Sequence, residues 1–173
     1  MDTWRAIDSI RVVREFDPRP LADDDLRRIV DAGRRAGSSK NLQRWAFILV
    51  RERERLEQLS QTGGFAQHVA GATAAIALVT PDPKAPDQPL SVVWDLGRAA
   101  QNMVLAAWDL GIGSAPATIY EHDRAHEILK LPEGNHCEYV LSFGYPRDSA
   151  ELAAGKKKGG RLTRNEVLHE EMW

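Results

Sequence analysis

The chain of 173 residues contains a single cysteine, Cys137, so no disulfide can form within it. A lone cysteine suits a reducing compartment, and we expect a cytoplasmic protein. Neither sign of charge is in large excess, because 23 Lys and Arg residues against 25 Asp and Glu residues leave a net charge of −2. Without a basic surface field, nucleic acid is not an expected partner.

Long uninterrupted apolar runs are absent as well. The longest apolar region, 90–110, contains Asp95, Arg98, Asn102 and Asp109, which would be costly inside a bilayer. The first residues also lack the basic-then-apolar layout of a signal peptide. We therefore expect neither a membrane span nor a membrane partner.

Several catalytic signatures are missing. The sequence has no Walker A motif, no His-Glu-x-x-His and no nucleophile elbow. The glycines at 111 and 113 follow a helical segment, whereas a dinucleotide-binding fingerprint follows a strand and opens a helix. His122 and His126 are four residues apart, but no second ligand pair has zinc spacing, so we interpret them as solvent-facing and expect no metal site.

Short helical and strand patterns are present, and the length of the chain predicts one domain over 1–173. The order of the predicted helices and strands along the chain is neither strictly βαβ nor all-helical, and it favours an α+β layer with a long helix against a small sheet. The helix at 90–110 is apolar nearly all round, so we expect it to be buried, either centrally or against a partner chain. Helices are predicted at 23–36, 52–61, 90–110 and 123–130, and strands at 45–50, 74–79 and 139–143.

Three segments contain residue types that suit a ligand site. Arg11 and Arg14, three apart among apolar neighbours, suit a phosphate and an anionic ring edge, although two surface arginines would look the same. Residues 36–45 gather hydroxyl and amide side chains in one loop, which suits a polar ring or a simple turn. Residues 110–118 are small, which lets a planar ligand approach the backbone or merely ends a helix.

Taken together and in this order, the segments resemble the nitroreductase superfamily. The usual opening of that family, Arg-Arg-Ser-Val-Arg-x-Phe, is similar to IRVVREF at 10–16, and its Ala-Pro-Ser-x-x-Asn-x-Gln-Pro-Trp motif is similar to AGSSKNLQRW at 36–45. The segment DLGRAAQNMVLAA at 95–107 resembles the family's central dimer helix. LGIGS at 110–114 and FGYP at 143–146 are similar in residue type to the corresponding segments of the family.

The sequence also departs from the family pattern. Ile10 and Val12 stand where the first motif usually has arginine and serine, so we expect two polar contacts with the cofactor phosphate to be absent. Gly37 and Arg44 replace the two usual prolines of the second motif. The chain is short for the family, and an open pocket is our hypothesis.

The resemblance implies an α+β fold, namely a nitroreductase-like three-layer α/β/α sandwich with a mainly antiparallel central sheet. It also implies a homodimer that binds one FMN at each end of its interface. The implied cofactor residues are Arg11 and Arg14 at the phosphate or pyrimidine edge, Ser38, Ser39 and Asn41 at the other subunit's flavin, Pro116, Ala117 and Thr118 beside the ring, and Arg161 at the phosphate with Lys158 as a further candidate.

The resemblance further implies an NAD(P)H oxidoreductase in which FMN carries the chemistry, so no catalytic side chain is expected. Electrons would pass in a ping-pong reaction to nitroaromatic, quinone or related small-molecule acceptors. A dehydrogenase or dehalogenase on the same fold is a competing interpretation, because the motifs bind the cofactor and do not identify the substrate. The sequence is also compatible with a flavin-binding dimer without turnover and with a cofactor-free α+β interaction domain.

Overall fold

The computed structural model describes residues 1–153 and 160–173 of the chain. Its helices and strands include the seven elements predicted from the sequence, together with further short elements. In chain order they are α1 (Thr3–Ser9), α2 (Asp23–Arg34), a 3-10 turn (Ser39–Asn41), β1 (Ala46–Val50), α3 (Arg53–Leu59), α4 (His68–Gly71), β2 (Ala74–Pro81), α5 (Ser91–Asp109), β3 (Gly113–Thr118), α6 (His122–Leu129), β4 (Asn135–Gly144), α7 (Ala150–Ala153) and α8 (Arg164–Val167).

The four strands form one antiparallel sheet in the order β1-β2-β4-β3. β2 lies inside the sheet and is buried along almost its whole length, which explains its continuous apolar sequence. The three strands predicted from the sequence correspond to β1, β2 and β4, and their existence is confirmed.

Helices cover both faces of the sheet. Successive side chains of β2 point to opposite faces, so they belong to two different cores. Ile76 packs with Ile29 of α2 and Met103 of α5 in one apolar core. Ala77 belongs to a second core on the other face, with Leu56 of α3 and residues of α4 and α6. The structure therefore has three layers, and the predicted α/β/α sandwich with an antiparallel sheet is confirmed.

The segment before α2 runs along β3, beside the edge of the sheet. Val12 forms an isolated parallel bridge with Ser114, and the Val13 N–H donates to the Ser114 carbonyl at 2.9 Å. Gly113 makes this approach possible, since a Cβ there would lie 2.6 Å from the Val13 Cβ. The backbone pairing fixes the position of the neighbouring Arg11 relative to β3.

The polar residues of α5 contact neighbouring parts of the chain, which the apolar pattern of the helix alone does not show. Asp95 is only 7% exposed and accepts a 2.8 Å hydrogen bond from the Ser39 N–H. The Asn102 side-chain amide donates to the Ala32 carbonyl at 3.2 Å. The polar stripe of α5 thus faces α2 and the following loop.

The side of α5 that this packing leaves uncovered is largely apolar. Leu90, Trp94, Gly97 and Gln101 are four, three and four residues apart and fall on one stripe, which we name the α5 outer face. Leu90 is 92% exposed and Trp94 71% exposed. A Cβ on Gly97 would meet nothing within 4 Å. Leu90 and Trp94 together expose a large apolar surface, and extended exposed apolar patches are typical of interaction sites.

The tail, residues 160–173, is exposed at every position. α8 begins at a capping box in which the Thr163 and Glu166 side chains and backbones pair reciprocally. The terminal Trp173 stacks on His169, with ring centroids 4.2 Å apart, and is fully exposed. Within the part of the chain that the structure describes, no helix has the length and apolar content to cross a bilayer.

Candidate functional site

A cavity of about 650 Å³ lies where α1, the 10–16 segment, α5, β3 and the tail meet. Its wall is mostly apolar, and its polar groups are concentrated in a few side chains. The lining residues are Trp4, Ile7, Asp8, Ile10, Arg11, Val12, Gly97, Ala100, Gln101, Val104, Ser114, Pro116, Leu141, Gly160 and Arg161.

Two arginines from distant parts of the sequence line this cavity. Arg11 precedes the bridge to β3, and Arg161 comes from the tail. The Arg11 guanidinium donates to the Ser9 carbonyl from Nε at 3.3 Å and from Nη2 at 3.2 Å, which orients the side chain. Guanidinium groups bind phosphate with paired, charge-assisted hydrogen bonds. The cavity is therefore equipped to hold an anionic group.

The rest of the cavity suits a planar apolar ring. Val104 of α5 and Leu141 of β4 contribute aliphatic surface, and Ser114 and Pro116 contribute the small residues of β3. Cofactor sites typically occupy about 300–1,000 Å³ and combine an apolar wall with a few polar anchors. The residues present fit a phosphate-bearing planar cofactor such as FMN.

The structure brings three of the nine predicted cofactor residues, Arg11, Pro116 and Arg161, to this cavity. The side chain of Ala117 is 2% exposed and packs in the core beside α6, so only its backbone can contact a ligand. Lys158 lies outside the residues that the structure describes. The predicted residues that do not line the cavity are Arg14, Ser38, Ser39, Asn41, Ala117 and Thr118.

The loop at 38–41 lies on a different side of α5 from the cavity. Its Ser39 backbone is bound by Asp95, whereas Gly97 and Gln101 line the cavity. At about 100° per helical residue, Gly97 is roughly 200° around α5 from Asp95. The loop is largely exposed, and the Ser38 hydroxyl is used by the Gln43 N–H at 3.0 Å. The loop residues therefore do not contribute to the cavity of their own chain.

A buried histidine lies behind β3, next to the cavity wall. His68 Nδ1 is 2.8 Å from the Ser142 hydroxyl, which donates to the Ala115 carbonyl at 3.1 Å. Because that hydroxyl proton is already used, Nδ1 must carry the hydrogen and donate. The other ring nitrogen, Nε2, is buried without a hydrogen-bond partner among the described residues. The sequence alone left the role of His68 open, and the structure places it in the core.

The surroundings of His68 favour its neutral form. Burial lowers its pKa, the nearby positive charge of Arg14 lowers it further, and a backbone contact with Pro116 opposes both. Arg14 is thus close to this wall without lining the cavity itself.

We expect the glutamine variant H68Q to flatten the acid side of the stability profile. In the unfolded chain His68 takes up a proton at its ordinary pKa of 6.5, whereas in the folded chain it does so only at lower pH. The free energy of unfolding therefore decreases as pH falls below 6.5. The contribution is at most about 1.4 kcal/mol per pH unit. Urea unfolding at about pH 7.5 and 5.5 measures it. A slope unchanged in H68Q would contradict the assignment.

Another histidine pair differs from the one the sequence suggested. His122 and His126 share the α6 segment, yet the ring that His122 contacts is His136, with centroids 4.4 Å apart. His136 stands at the start of β4, fourteen residues along the chain. Sequence spacing could not reveal this contact, because it depends on how β4 packs against α6.

Comparison with known proteins gives one consistent result. The model of the Nitroreductase family matches residues 7–77 and 61–145. The chain is 34% identical over 168 residues to a protein of Archaeoglobus fulgidus named "Putative NADH dehydrogenase/NAD(P)H nitroreductase", and the match covers 94% of each chain. It is 28% identical over 185 residues to the NADPH-flavin oxidoreductase of Vibrio harveyi, covering 99% of this chain and 75% of that one.

Solved structures agree with the sequence comparison. The FMN-dependent nitroreductase of Clostridium difficile superimposes with a TM-score of 0.82 at 25% identity. The alignment covers 99% of this chain and 100% of that one. The similarity therefore extends over the whole fold, including the segments that form the cavity.

Proposed function

This chain belongs to the nitroreductase family and is an FMN-dependent NAD(P)H oxidoreductase, and we propose that it works as a homodimer by a ping-pong mechanism on nitroaromatic, quinone or related acceptors. The observation that carries the proposal is the cavity beside β3, which combines two arginines with an apolar wall. Bound FMN supplies a two-electron centre that accepts a hydride from NAD(P)H and passes the electrons to an acceptor.

The residues of the chain have binding and orienting roles in this proposal. Arg11 and Arg161 would hold the FMN phosphate, whose charge is close to −2. Arg14, which is close to the cavity wall, would interact with the pyrimidine edge of the flavin ring. Pro116 would lie beside the ring with Ala117 and Thr118, and these two would contribute backbone groups because the Ala117 side chain is buried in the core. One cavity then serves donor and acceptor in turn.

The proposed dimer follows from what one chain leaves incomplete. The α5 outer face exposes Leu90 and Trp94 to solvent, and the loop carrying Ser38, Ser39 and Asn41 lies on a different side of α5 from the cavity of its own chain. Pairing two copies through this face would cover the exposed aromatic. It would also let the loop of each copy reach the flavin of the other.

The visible spectrum of the purified protein tests the proposal. After FMN is added and the unbound part removed, we expect one flavin per chain, bleached by NADPH under nitrogen and restored by a quinone or nitroaromatic. Initial rates at several acceptor concentrations should give parallel double-reciprocal lines. Failure to retain FMN would overturn the cofactor assignment. Intersecting lines from a protein that retains FMN would reject the ping-pong mechanism alone.

A further inference from the structure

A compact group of polar side chains lies where α6 and β4 begin, away from the cavity. His122, His136 and Glu138 each offer one ligand atom, and these atoms all lie within 4.8 Å of one another. We propose that the three residues form a binding site for a divalent transition-metal ion, with Zn²⁺ the best match. The site is separate from flavin binding and links the start of α6 to β4.

The donor set selects the class of ion. Two imidazoles and one carboxylate suit Zn²⁺, Ni²⁺, Co²⁺ and Cu²⁺, whereas Ca²⁺ and Mg²⁺ prefer sites built from oxygen ligands. Zn–N and Zn–O bonds of about 2.0–2.2 Å place tetrahedral ligand atoms roughly 3.3–3.6 Å apart. The Glu138 carboxylate already lies 3.3 Å from His136 Nε2 and 3.9 Å from His122 Nε2. Small side-chain movements would complete the geometry, with water as a fourth ligand.

One histidine nitrogen that faces the carboxylate lacks a hydrogen bond in this arrangement. His136 Nε2 is buried 3.3 Å from the Glu138 carboxylate and makes no hydrogen bond within the described ranges. A buried ring nitrogen without a hydrogen bond is unfavourable, because it has lost its contact with water. A bound cation gives a ligating nitrogen the partner that it lacks and fixes which tautomer the ring adopts.

His136 and Glu138 are two residues apart in β4, and an irregularity of the strand falls between them and Tyr139. Leu78 of β2 pairs with Tyr139 and Val79 pairs with Cys137, so Glu138 is the extra residue of a β-bulge. Bulges interrupt the strict alternation of side chains and re-aim the bulged residue. Here the bulge falls at Glu138, whose carboxylate lies next to both histidines.

The site is distant from the flavin cavity. His136 is five residues from Leu141, which lines the cavity, and a strand of that length spans about 17 Å. The Glu138 carboxylate contacts the two histidine rings and forms an ion pair with Lys84, at the far end of β4 from the cavity. Occupation of the metal site therefore leaves FMN binding unchanged, and a measurement of metal affinity can be made on the flavin-loaded protein.

A competing cation is already present. The Lys84 ammonium lies 3.3 Å from the Glu138 carboxylate, and its side chain is exposed. It would oppose a metal ion at the same oxygen by charge repulsion, and it can swing into solvent. K84M should therefore strengthen metal binding several-fold.

Titration of the FMN-loaded, chelator-treated protein tests the site. Calorimetry with Zn²⁺ and visible absorption with Co²⁺ should both give one ion per chain. H136A and E138Q should each weaken binding at least about tenfold, since each removes a ligand. H126A, which alters a histidine of the same helix outside the cluster, should bind as the unaltered chain does. Retained flavin absorbance shows that each variant is folded.

Three results would overturn the proposal. The first is no saturable Zn²⁺ or Co²⁺ binding by the unaltered chain. The second is equal affinity in the unaltered chain and in both H136A and E138Q. The third is loss of binding in H126A, which would move the ion elsewhere. If H136A fails to fold, E138Q and K84M decide the matter, because their affinities should change in opposite directions.

Discussion

An R11A/R161A double variant is expected to bind FMN at least a hundredfold more weakly than the unaltered chain. Each arginine lines the cavity and can donate charge-assisted hydrogen bonds to the phosphate. Such bonds are worth about 1.5–3 kcal/mol each, so losing two costs roughly 3–6 kcal/mol. That cost corresponds to a factor of about 10²–10⁴ in Kd. Quenching of flavin fluorescence on titration measures the change.

The control for this experiment removes the same charge elsewhere. Arg27 and Arg34 on α2 are exposed and pair with Asp24 and Asp31 on the same helix. R27A/R34A alters the net charge equally but leaves the cavity intact, and exposed pairs of this kind contribute little to stability. FMN affinity that falls equally in both double variants would show a general charge effect and contradict the phosphate assignment. The FMN affinity of R11K should lie between that of the unaltered chain and that of R11A/R161A, since lysine cannot form the paired contact.

A W94E variant is expected to be monomeric and to lose FMN as well. Trp94 is the largest exposed side chain of the α5 outer face, and a carboxylate at the centre of a paired face would be buried without a partner. Light scattering measures the mass, and the flavin titration measures the cofactor. W94F, which keeps an aromatic ring, should stay dimeric. A W94E protein that remains a dimer would exclude this face as the interface.

Mixing two defective chains tests whether the 38–41 loop acts on the partner. One chain carries R11A/R161A and an intact loop, and the other carries S38A/N41A and intact arginines. In a mixed dimer, one cavity combines intact arginines with an intact loop from the other copy. Random exchange of an equal mixture makes about half of the dimers mixed, so mixing should restore about a quarter of all flavin sites, whereas neither parent binds well. No recovery, in a mixture shown to contain mixed dimers, would contradict loop sharing.

Much of the fold was predictable because its central elements have long, regular patterns. β1 and β2 are continuous apolar runs, β4 contains the mostly apolar segment YVLSF, and α2 and α5 repeat their apolar residues at the helical period. The sequence does not predict β3 as a strand, since GSAPAT has few of the β-branched and aromatic residues typical of strands. It becomes a strand through its pairing with β4. α4, at four residues, is too short to show any periodicity.

The candidate site was predictable where the residue type alone suggests its chemistry. Arg11 and Arg161 suit a phosphate wherever the backbone places them, and both line the cavity. The polar residues of α5 were harder to interpret, because periodicity groups them on one stripe without saying what covers it. Asp95 is buried under the loop at Ser39, a contact set by tertiary packing. The His122–His136 pair was missed for the same reason.

The strand order has a consequence for how this protein is made. β4 is the last strand in the sequence, yet it separates β2 from β3 and supplies both with hydrogen bonds. At ribosomal rates of about 5–20 residues per second, the earlier strands wait for seconds before β4 is synthesised. Until then the apolar edge of β2 is unpaired and open to chaperones or to aggregation. Arg161, which we propose holds the flavin phosphate, follows later still, so we expect flavin capture to belong to the final stage of biogenesis.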